Sequence, residues 1–71
     1  MEPTTAEKIK ILCKRMGLSL GELAEKTNQS RQNLSNKFAR NDFVESDLRK
    51  MAEAMGCTYS ATFTTPNGEK I

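Results

Sequence analysis

A chain of 71 residues has room for one small domain, near the size at which a hydrophobic core alone sustains folding. With 37% hydrophobic and 28% charged residues, it is too apolar for a disordered chain and too polar for a membrane one. No apolar run approaches the roughly 20 residues that span a bilayer, and the opening MEPTTAEKIK lacks the apolar stretch of a secretory signal. A cytoplasmic location without a membrane partner is expected.

The absence of histidine removes Ser–His and Cys–His nucleophile pairs and every histidine-containing metal site. Cys13 and Cys57 are far apart and lack CxxC spacing, so reduced, buried thiols are expected rather than a disulfide or a metal site. Few residues are left to enclose an active-site pocket. A binding module is expected, not an enzyme. The net charge is only +2, yet residues 29–41 hold Arg31, Lys37 and Arg40 and no acid. So local a positive window points modestly to nucleic acid, although a solvated helix face has the same charge.

In chain order, Thr4 and Glu7 form a capping box that opens a first helix over about 5–16. Ala6, Ile9, Leu12, Cys13 and Met16 recur there at helical spacing, and Gly17 can end the helix in a left-handed cap. Ser19 and Glu22 repeat the box, with Leu18 and Leu23 as a hydrophobic staple around it. This second helix runs from Leu20 to about Thr27 and is too short to be stable alone. Asn28 tolerates a left-handed backbone, and Ser30 can cap a third helix through about Ala39, its buried side marked by Leu34 and Phe38. The break of about three residues, Asn28–Ser30, forces the two short helices to cross steeply.

A fourth helix is expected over about Glu45–Met55, with Leu48, Met51, Ala52 and Met55 inward, Gly56 closing it, and Phe43 and Val44 as apolar anchors at its start. From Cys57 to Thr64 the period changes to two, the signature of a half-buried strand. Thr65-Pro66-Asn67-Gly68 carries turn chemistry, and Glu69–Ile71 can begin a return strand. The core is expected from Leu12, Cys13, Leu23, Ala24, Leu34, Phe38, Leu48, Met51, Ala52 and Met55.

On these residues, Leu20 to Ser35 resembles the helix-turn-helix of phage repressor and Cro-like regulators, the Xre class. Ala24 stands where the family places a small residue between the two helices, and Leu34 takes the apolar position of the recognition helix. The resemblance covers roughly residues 4–56. It implies a mainly α, four-helix, lambda-repressor-like domain (1–56), followed by a C-terminal β-strand or hairpin (57–71). The chain departs from the pattern at Asn28, where Gly is usual, at Leu20, where Gln often contacts phosphate, and at Lys37, often apolar. Longer relatives add a fifth helix where this chain has its strand and turn.

The third helix can also be viewed by angle, at about 100° per residue from Leu34. Gln32, Asn36 and Gln29 then fall diametrically outward, flanked by Asn33 and Ser35. Asn and Ser are poor helix formers, so an exposed face built from them suggests a surface kept for contact. Amides bond bidentately to adenine in the major groove, and Ser can serve either base type. Gln29, Arg31, Gln32, Asn33, Ser35 and Asn36 are the expected base-contacting residues. Phosphate contacts are expected from the backbone amides near Ser19 and Leu20, and from Lys37, Arg40 and Asn41 beyond the recognition helix.

The expected function is a sequence-specific, double-stranded DNA-binding transcriptional regulator of repressor-like type, acting without a cofactor. The alternative is a protein-interaction module on the same fold, such as an antitoxin or anti-repressor. A homodimer is expected, because Tyr59, Ala61 and Phe63 share one side of a strand that a lone hairpin cannot stabilise. The competing arrangement folds that hairpin back on the first or fourth helix of its own chain.

Overall fold

The computed structural model describes residues 2–71, which form four helices: α1 (Thr5–Met16), α2 (Leu20–Lys26), α3 (Arg31–Arg40) and α4 (Glu45–Ala54). The starts of the first three are set by side chains, whereas α4 opens on Val44 without a side-chain cap. In α1, Thr4 Oγ1 accepts from Glu7 N–H at 3.2 Å, and Thr4 N–H donates to Glu7 Oε1 at 2.8 Å. Ser19 and Glu22 do the same for α2, at 3.1 and 3.0 Å. Ser30 Oγ accepts from Asn33 N–H at 3.0 Å and starts α3. Each cap satisfies amides that a helix start leaves without a partner.

The helix ends are equally local. Gly17 closes α1 with φ +69°, and Asn41 closes α3 with φ +50°. Asn28, at φ +56°, turns the chain between α2 and α3. Asparagine and glycine enter this left-handed region at least cost.

Ala6, Ile9 and Cys13 of α1 meet Leu23 and Ala24 of α2, Leu34 and Phe38 of α3, Met51 of α4 and Met55 just beyond it in one apolar cluster. Leu23, Leu34 and Met51 are fully buried. Phe43 adds an edge-to-face contact to Phe38, with centroids 5.4 Å apart. Leu12 and Leu48 pack on the cluster while only half buried. Two expected apolar contacts are absent from it. Met16 is 49% exposed at the last residue of α1. Val44 is 60% exposed, because it is the N-cap of α4 and its neighbour Phe43 takes the inward position. Cys13 and Cys57 are both free thiols, and Cys13 is buried.

The segment after α4 differs from the expected strand. Between Thr58 and Thr62 no backbone hydrogen bond is made among the described residues. The two arms meet only at their turn: Phe63 and Ile71 exchange backbone bonds at 2.8 and 2.9 Å, and a single antiparallel bridge joins Thr64 to Lys70. Only Glu69–Ile71 return alongside Phe63–Thr65, and three residues pair no more than the end of a turn. No hairpin of regular strands is formed. The unpaired stretch instead runs beside α1 and α4, and with Ile9, Leu12, Leu48, Met51 and Met55 it borders an open hollow of about 650 Å³. Of the residues expected on one strand face, Tyr59 is half buried whereas Ala61 and Phe63 are exposed. Among the described residues no helix is long and apolar enough to cross a membrane.

Candidate nucleic-acid interface

Burial of Leu34 and Phe38 fixes the rotation of α3, and therefore what its other side presents. Arg31, Gln32, Asn33, Ser35 and Asn36 are all exposed. Gln32 and Asn36 lie one turn apart, and Gln32 Nε2 donates to Asn36 Oδ1 at 3.2 Å. Arg31 sits at the start of α3 over the first turn of α2, its Cδ 3.9 Å from where a β-carbon on Gly21 would stand. Five of the six residues expected to contact bases are thus exposed, Gln32, Asn33, Ser35 and Asn36 on the side turned from the core and Arg31 at the helix start over α2.

Gln29 is the sixth, and it is turned elsewhere. It precedes the Ser30 cap, so it lies outside α3 and the helical angle does not apply to it. Its Nε2 donates to Thr27 Oγ1 at 2.8 Å, and its Oε1 accepts from Lys37 Nζ at 3.2 Å. Lys37 also pairs with Asp47 of α4 at 2.7 Å, both side chains about a quarter exposed. This Thr27–Gln29–Lys37–Asp47 chain ties the turn, α3 and α4 together. Lys37 occupies a position that the family resemblance makes apolar, and it holds the elements by charge instead of packing. Neither Thr27 nor Asp47 was expected from the sequence to take part, because Lys37 and Asp47 lie on different helices.

The other rim residues divide in the same way. Arg40 is exposed and makes no ion pair among the described residues. Asn41 Oδ1 accepts from Ala6 N–H at 2.9 Å, so its carbonyl caps α1 and only its amino group stays free. At the start of α2, Leu20 is half buried against the core, leaving just its backbone amide for an anion. Ser19 N–H is already taken by the Glu22 carboxylate. The backbone and side-chain bonds from Ser19 hold that carboxyl below its ordinary pKa, so the helix start carries its own anion. Beside α3, Asn33, Asn36, Lys37, Arg40, Val44 and Asp47 border an open hollow of about 270 Å³. No group of three or more acidic or cysteine side chains suited to a metal ion occurs among the described residues.

No protein-family model, no curated protein and no solved structure matches this chain.

Proposed function

We propose that the chain is a sequence-specific, double-stranded DNA-binding regulator of repressor-like type, in which α2 and α3 form a helix-turn-helix and α3 enters the major groove. The observation that carries this reading is the outward face of α3. It exposes Gln32, Asn33, Ser35 and Asn36 away from Leu34 and Phe38, which hold the opposite side in the core, with Arg31 exposed at the start of the helix. An α-helix about 10–12 Å across fits a groove about 12 Å wide. Hydrogen-bonding side chains in place of strong helix formers suit base edges. Arg40 is the foremost phosphate contact, with the backbone amide of Leu20 and the free amino group of Asn41 beside it. Gln29 and Lys37 serve as internal braces.

One helix of this size touches few base pairs, so specific affinity calls for two copies on half-sites about 34–36 Å apart. The unpaired Thr58–Thr62 backbone, with Phe63 82% and Ile71 71% exposed, supports a two-fold dimer through the tails. The same exposed side chains are what favours the second reading, a protein-interaction module of antitoxin type.

Selection from a random duplex pool, followed by fluorescence anisotropy on selected and scrambled duplexes, tests the proposal. Enrichment of a two-fold symmetric site with salt-dependent affinity is the expected result. Failure to bind any duplex at low salt would overturn it in favour of the protein-interaction reading.

A further inference from the structure

Of the three basic side chains on α3, Arg31, Lys37 and Arg40, only Lys37 is ion-paired among the described residues. Its Nζ lies 2.7 Å from Asp47 Oδ2 in the first turn of α4 and donates to Gln29 Oε1 at 3.2 Å. The Lys37 and Asp47 side chains are 26% and 21% exposed, so water and salt screen this pair less than a pair on the open surface. Lys37 nevertheless borders the hollow of about 270 Å³ together with Asn33, Asn36 and Arg40. Its stem therefore starts among the residues assigned above to the DNA-facing side. A lysine ammonium on a flexible four-carbon stem can turn to a carboxylate or to a phosphate, but not to both at full strength.

We propose that Asp47 is a positioning residue that sets specificity: it holds the Lys37 ammonium against α4, so that Lys37 braces α3 instead of gripping a phosphate. This rests on the DNA-binding reading above. A phosphate contact adds affinity for every sequence, and the many non-specific sites compete for the protein. Withholding one cation lowers that competition. The same cation, held by Asp47 and Gln29, ties α3 to the turn before it and to α4. That brace matters most for base contacts, which depend on how α3 is oriented, and least for a scrambled duplex, which is held through its backbone.

The test measures the affinity of the full chain for selected and scrambled duplexes by fluorescence anisotropy across a salt series. Asp47→Asn keeps the shape of the side chain and removes its charge. It should tighten binding to scrambled duplexes about threefold and steepen the slope of log affinity against log salt there by about one. The selected duplex should gain less, so the ratio of the two affinities should fall. Asp47→Glu retains the charge and should stay near the parent, whereas adding Lys37→Gln to Asp47→Asn should remove the gain. The proposal is overturned if the gain survives Lys37→Gln, because loss of a repelling carboxylate would then suffice. It is also overturned if both duplexes gain alike or if the slope does not move. Should urea unfolding show that Asp47→Asn does not fold, Lys37→Ala decides: a slope equal to the parent's supports the proposal, and a shallower one shows that Lys37 already contacts phosphate and overturns it. Failure of the parent chain to bind any duplex would instead remove the DNA reading itself.

Discussion

Arg40 and Lys37 are both basic and three residues apart, yet their surroundings assign them opposite expectations. Arg40 is exposed and makes no ion pair among the described residues, so Arg40→Ala should weaken binding to all sequences alike and lower the slope of log affinity against log salt by about one. Lys37 is held by Asp47 and Gln29, so Lys37→Ala should leave that slope unchanged and lower stability by about 1 kcal/mol. Urea unfolding of Lys37→Ala, Asp47→Ala and the double variant separates the pair from its parts. A single-variant loss that the double variant does not add to is the expected pattern. Asn41 also has a structural task. Asn41→Ala removes both the αL tolerance and the bond to Ala6 N–H and should cost about 1–2 kcal/mol, whereas Asn41→Gly keeps the backbone conformation and should recover part of it.

Among the elements, α2 depends most on its cap. It has seven residues and buries only Leu23 and Ala24, so little intrinsic helicity offsets a lost hydrogen bond. Ser19→Ala should cost about 1 kcal/mol in urea unfolding. The capping boxes also set a pH dependence. Bonds from Thr4 and Ser19 hold the Glu7 and Glu22 carboxyls below their usual value of 4.5, so the unfolded chain takes up these protons more readily than the folded one. Their contribution to stability is therefore full above pH 4.5 and is lost as pH falls through the lower folded-state values. Urea midpoints measured from pH 6 downward should decline below about pH 5, and a Glu7→Gln, Glu22→Gln double variant should flatten that decline.

At the scale of the whole molecule, the decisive element is the tail. Light scattering at micromolar concentration should give about twice the 7.9 kDa of one chain, and deletion of residues 57–71 should return a monomer. Phe63→Asp should have the same effect while leaving the helical part intact, because Phe63 makes no contribution to the core. A monomer for the full chain would mean that the tail stays beside α1 and α4 of its own chain without recruiting a second copy.

The sequence alone determined all four helices to within a residue or two, the capping boxes at Thr4 and Ser19, the left-handed turn at Asn28, and the exposure of Gln32, Asn33, Ser35 and Asn36 on α3. Caps, turns and helical periodicity are fixed by residues no more than about four positions apart, so short stretches of sequence contain them whole. The tertiary structure alone decided that Lys37 faces Asp47, that Asn41 caps α1 across 35 positions, and that Gln29 braces the turn. It also decided that Thr58–Thr62 makes no backbone hydrogen bond among the described residues. Such outcomes depend on which helices meet and at what rotation, and for the tail on whether a neighbouring strand exists. Alternating residues fit a half-buried strand, but only a hydrogen-bonding partner makes one.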